Sequence, residues 1–195
     1  TLYSLQELKA LADFAHQNNM FLHIDGARLA NAASALNCSL KEMTKDISAD
    51  VVSFGGTKNG LLCGEAIISF NPEITSDMRF YRKQASQLLS KMRFVSAQFE
   101  AYLQDDLYLQ NAFCANKMAK LLAKRLQEIK EVTVTQEVEV NSLFVILPEH
   151  IIETLQQKYH FYTWNEATNE VRLMCSFNTK EEHIDEFIND LKTLL

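Results

Sequence analysis

The sequence predicts an α/β fold on three observations. Short apolar runs at 51–54 and 66–70, rich in branched and aromatic residues and bounded by glycine or by Asn71-Pro72, read as buried strands between helical stretches. The runs that end near Asp25 and ahead of Lys58 lie about one strand–helix–strand unit apart, the spacing of parallel neighbours in a sheet. A chain of 195 residues with 47% hydrophobic content also has enough apolar matter for one large domain or two small ones.

Taken in order, the elements begin with a capping box. Ser4 and Glu7 precede Leu5, Leu8, Leu11, Ala12 and Ala15 at helical spacing, so the chain opens into a helix. That helix feeds a strand at 20–24, an odd start for an independent α/β domain, and predicts that the chain is the later part of a longer one. A helix over 29–35 follows, and Ser39 with Glu42 caps a further short one. Beyond the strands at 51–54 and 66–70, the residues Met78, Tyr81, Ala85, Leu88, Met92, Val95, Phe99 and Tyr102 recur at steps of three and four. They predict one long helix over 77–104, its stripe serving the core or a subunit contact and its basic residues a solvated face.

From about residue 105 the pattern becomes α+β. A helix to about 130 carries Met118, Leu122, Leu126 and Ile129 on one face, and strands are expected at 132–135, 143–147 and 171–175. Helices fill the gaps, one over 149–158 after Pro148 and one over 181–194 capped by Thr179 with Glu182. The expected division is therefore 1–104 and 105–195, at a helix end.

Composition narrows the function. A net charge of −6 opposes an electrostatic nucleic-acid binder, which needs a basic stripe. Cys38, Cys63, Cys114 and Cys175 have neither metal-type spacing nor the density of a disulfide framework, as in a reducing compartment. No apolar run is long enough for a bilayer and the start is not signal-like, so the expectation is a soluble cytoplasmic protein without membrane or metal.

Two residues then stand out chemically. Lys58 sits in a turn framed by Gly55, Gly56 and Gly60, and a lysine in a desolvated pocket can form a Schiff base with an aldehyde. Taken alone it is most simply a solvated turn lysine. Asp25 ends its run on the face shared by Phe21 and His23, where a carboxylate can hold a pyridinium proton through a charge-assisted hydrogen bond. Taken alone it is a turn or cap aspartate, common before glycine. If the two strands are parallel neighbours, both residues emerge at the end of an α/β sheet that binds ligands.

The strings HIDGARLANA, SFGGTKNGLLCGEAI, QLLSKMRFVSAQFEAYL and the closing VRLMCSFNT resemble the low-specificity L-threonine aldolases of the β-eliminating lyase group. These are pyridoxal phosphate enzymes of fold type I, and the resemblance implies the second half of the large-domain sheet followed by a small α+β C-terminal domain. It further implies that Lys58 carries the cofactor, that Asp25 lies under the pyridine nitrogen, and that Arg28 and Arg172 grip the substrate carboxylate. Thr57 is placed to bind the phosphate. The implied reaction splits threonine or allo-threonine into glycine and acetaldehyde, in a homo-oligomer of two or four copies. In the family the phosphate loop, a histidine stacked on the ring and a carboxylate-binding serine precede the stretch matched here, which leaves the activity of the isolated chain open. Two further readings stand beside this one: a related pyridoxal phosphate lyase, and an inactive truncated remnant.

Overall fold

Residues 2–195 are described by a computed structural model, and they form two compact units, one running to Gln110 and the other Asn111–Leu195. The first unit opens with α1, Leu5–Gln17, whose capping box forms as the sequence predicts. The Glu7 N–H donates to Ser4 Oγ at 3.2 Å and the Ser4 N–H to Glu7 Oε2 at 2.7 Å. Then follow β1 (His23–Gly26), α2 (Leu29–Leu36), β2 (Val51–Gly55) and β3 (Glu65–Ser69), with α3 (Pro72–Thr75), α4 (Met78–Gln84) and α5 (Arg93–Leu103) after the sheet.

The three strands lie in the order β1-β2-β3, β2 pairing parallel with β1 and antiparallel with β3. Parallel pairing needs a crossover, and α2 supplies it. The register His23↔Val51 through Gly26↔Phe54 puts Val52 and Phe54 on a buried face and His23, Asp25 and Ser53 on the other. The pairing is the one expected; several boundaries are not. The first ladder starts at His23 and not at residue 20, because the Asp50 carboxylate takes the Leu22 N–H at 2.8 Å while Met20 and Phe21 remain exposed. β3 is half-exposed, with Ile67 at 56%, where a buried strand was expected.

Two expected helices also differ. The Ser39–Glu42 capping bonds form, but Asp46 N–H reaches back to Lys41 O and Ala49 N–H to Thr44 O, and Ser48 is left-handed, so 40–48 coils through turns. The expected long helix over 77–104 is broken into α4 and α5 around Ser86, which has φ 58°. Every residue from 79 to 91 is exposed, so the stripe finds no surface to bury against, and packing is what sustains most protein helices.

The second unit receives α6 (Leu107–Leu126), which begins in the first, so the units divide inside this helix. It then builds β4 (Thr133–Val134), β5 (Ser142–Ile146), α7 (Glu149–Gln156), β6 (Tyr162–Asn165), β7 (Glu170–Met174) and α8 (Glu181–Leu194). The sheet is antiparallel, in the order β4-β5-β7-β6. One face of it meets the helices over a core that includes Leu126, Val145, Ile151, Leu155, Val171 and Leu191. α6 stops at Leu126, short of residue 130, in a turn closed by Ile129 N–H on Leu126 O. The Thr179 hydroxyl accepts from Ser176 N–H at 2.9 Å instead of capping α8, where Lys180 N–H donates to His183 Nδ1. β6 was not expected from the sequence.

Candidate functional site

Asp25 stands one residue before the end of β1 with its side chain exposed, its Oδ1 accepting the Ala27 N–H at 3.2 Å in a local turn that fixes the carboxylate. On the same sheet face, His23 Nε2 and Ser53 Oγ are 2.8 Å apart. His23 is thus tied across to β2. On the neighbouring strand, β2 runs through Gly55 and Gly56 into a 3-10 turn, Thr57–Asn59, that presents Lys58 to solvent. Because β1 and β2 are parallel, the carboxylate and the amine come off the same end of the sheet.

What fixes the lysine is its neighbour. Asn59 is 2% exposed and its Nδ2 donates to Tyr102 Oη at 2.6 Å and to the Tyr108 carbonyl at 2.8 Å, pinning the turn to α5 and to the start of α6. Tyr102 is itself 2% exposed and stacks between Phe54 and Tyr108, and burial pushes its hydroxyl pKa up, so it stays protonated. Further along, Gln98 Oε1 accepts the N–H groups of Leu62 and Cys63, at 3.0 and 3.2 Å. Thr57 Oγ1 accepts the Gly64 N–H at 3.0 Å and closes the loop.

The glycines explain how close the two segments come. A Cβ on Gly55 would lie 2.8 Å from Ala27 Cα, and one on Gly56 would run into Leu61. Gly60 has φ 121°, a backbone geometry that side chains disfavour. Asn59 and Gln98 were not singled out from the sequence. Their partners lie some 35 to 50 residues away, and no local pattern marks them.

Arg28 stands at the start of α2, half-buried, and lines a cleft of about 180 Å³ with Asp25, Ile24, Leu29 and Met43. Asp25, Arg28, Thr57 and Lys58 therefore share the first unit. Arg172 belongs to the second, on the open face of β7, with Phe144 opposite on β5 and Tyr162 opposite on β6. Cys175 is buried, which pushes its thiol up to about 12, so it is not a nucleophile at neutral pH. Among the described residues no group of His, Cys, Asp and Glu could hold a metal ion, and no helix is long and apolar enough to cross a membrane.

Comparison with known proteins is consistent along the chain. The profile of the beta-eliminating lyase family matches residues 1–150. A low specificity L-threonine aldolase from Pseudomonas aeruginosa is 40% identical over all of this chain, and one from a Pseudomonas species is 38% identical. The chain spans 56% of the length of each. Among solved structures, a threonine aldolase from Leishmania major superposes with a TM-score of 0.87 at 30% identity, over 98% of this chain and 57% of that one. The fold is thus that of the fold type I enzymes to which threonine aldolase belongs.

Proposed function

The chain belongs to the beta-eliminating lyase family, and we propose that the intact protein is a pyridoxal phosphate-dependent aldolase that cleaves L-threonine or allo-threonine to glycine and acetaldehyde. The observation that carries the reading is the parallel β1–β2 pair, which brings Asp25 and the glycine-framed Lys58 off one end of the sheet. It is supported by the names of the relatives that match along the whole chain.

The residues fit the cofactor. Lys58 offers an exposed amine to an aldehyde, Asp25 offers a carboxylate one strand away, and Gly55 lets the start of the lysine turn lie against Ala27 without an intervening side chain. When bound, pyridoxal phosphate supplies an electron sink for the pair released as the Cα–Cβ bond breaks. Lys58 would hold the cofactor through its amine. Asp25 would keep a proton on the ring nitrogen through a charge-assisted hydrogen bond. Thr57, whose own O–H makes only a 3.4 Å contact to Gly64 O, would donate to the phosphate.

By the resemblance, Arg28 and Arg172 are each proposed for the substrate carboxylate, a group that a planar guanidinium fork matches. Fixing the carboxylate would restrict rotation of the bound amino acid about Cα, and so would favour breaking the Cα–Cβ bond over the other bonds at that carbon. These contacts act on the amino acid backbone alone, so phenylserine-like substrates belong to the same reading. The protein works as a homo-oligomer of two or four copies in the cytoplasm, where its four free cysteines stay reduced.

The test is to supply threonine, allo-threonine and phenylserine to the intact protein and measure released aldehyde and ammonia. Aldehyde with glycine is the expected outcome, abolished in Lys58→Ala. Ammonia in place of aldehyde would make the protein a related β-eliminating lyase, and neither product would leave a protein without this activity.

A further inference from the structure

We propose that Trp164 is the positioning residue that sets Arg172 for a substrate carboxylate. The inference rests on the reading of Arg172 given above, and it begins with an irregularity in the sheet. Across β6 and β7, Thr163 pairs with Val171 but Asn165 pairs with Glu170, so Trp164 is an extra residue, a β-bulge. A bulge re-aims the side chain it inserts, and bulges gather next to active sites. Here the indole is turned onto the open face, edge-on to Phe144 at 5.3 Å between ring centroids and with the Arg172 guanidinium carbon 5.6 Å from its own centroid.

Arg172 is held but not neutralised. Its Nε is buried without a hydrogen-bond partner, and among the described residues no carboxylate pairs with it. The acid two residues away on the same face, Glu170, is already engaged by the Thr135 hydroxyl at 2.6 Å. Phe144 and Tyr162 stand opposite the arginine on the neighbouring strands, and the Trp164 ring beneath the guanidinium restricts its plane while leaving its forked end for an outside anion. A guanidinium that is oriented and unpaired loses little rotamer freedom when a carboxylate arrives, and a planar fork matches a carboxylate. The ligand class is the α-carboxylate of an amino acid.

The experiment uses the intact protein loaded with cofactor, with Trp164→Leu, Trp164→Phe and Arg172→Lys compared by steady-state kinetics on threonine and by calorimetric binding of glycine. Arg172→Lys should weaken glycine binding; if it does not, the carboxylate reading of Arg172 fails and this inference with it. With that effect in place, Trp164→Leu should raise KM and the glycine Kd about ten-fold with kcat moving far less, and Trp164→Phe should recover most of the loss. Glycine binding unchanged in Trp164→Leu would overturn the inference and leave the Arg172 reading intact. So would a Trp164→Phe variant as weak as the leucine one, or a loss confined to kcat. Trp164 is 59% exposed, and the phenylalanine variant keeps the question decidable should the leucine one fold poorly.

Discussion

In Asn111–Leu195 a four-stranded sheet and its helices close over one buried apolar cluster, whereas in the unit up to Gln110 the side chains of Phe14, Phe21, Ile67, Phe80, Tyr81 and Phe94 are exposed. The second unit holds its shape by packing. The first positions its key segments with buried polar groups: Asp50 gathers the Leu22 N–H, His16 Nε2 and Asn71 Nδ2 at one end of the sheet, and Asn59 gathers Tyr102 and Tyr108 behind the lysine turn. Polar clasps fix particular backbone points without needing a thick core. The exposed Lys58 is held by its neighbour's buried side chain and not by burial of its own.

The contrast can be broken first where packing dominates. Leu143 is 1% exposed in the middle of β5, and Leu143→Ala should cost about 3 kcal/mol in denaturant unfolding, with faster amide exchange along β5 and β7. A loss below about 1 kcal/mol would mean that the cluster is not what holds this unit.

Next comes the clasp at Asp50. Burial pushes this carboxyl up, but the hydrogen bonds from Asn71, His16 and Leu22 together outweigh it and hold the group below its ordinary value of 3.8. A depressed folded pKa contributes stability that is present above the unfolded value and lost as pH falls through the folded one. Asp50→Ala should therefore cost roughly 2 kcal/mol at pH 7, and the gap in Tm between native and variant should narrow as pH falls below about 4. A gap that widens in acid would reverse the sign and contradict the clasp.

The smallest effect sharpens the comparison. Tyr102→Phe keeps the ring between Phe54 and Tyr108 but removes the oxygen that accepts from Asn59. It should cost about 1 kcal/mol of stability and slow cofactor capture by Lys58. Equal capture rates in the two proteins would separate the Asn59 clasp from the positioning of the lysine.

Much of this was legible in the sequence wherever the signal is local. Ser4 and Glu7 announce α1, the spacing from Asp25 to Lys58 announces a parallel pair, and the glycines around Lys58 announce a tight turn. What escaped depends on distant partners. Asp50 and Asn59 read as ordinary loop polar residues until residues 28 and 43 positions away are seen against them. Tyr162-Thr163-Trp164-Asn165 carries no apolar run, so β6 shows itself only through its pairing with β7, and the bulge that aims Trp164 shows itself only there too. The stripe over 77–104 had the right period but no surface to meet, and period alone does not hold a helix together.

Borohydride reduction tests whether the exposed Lys58, on the strand next to that of Asp25, is the cofactor residue. The intact protein is incubated with pyridoxal phosphate, reduced, digested and mapped by mass. The account expects one labelled peptide, carrying Lys58, and no label at that position in Lys58→Ala. Label spread over surface lysines such as Lys41 and Lys117, with Lys58 unmarked, would contradict it.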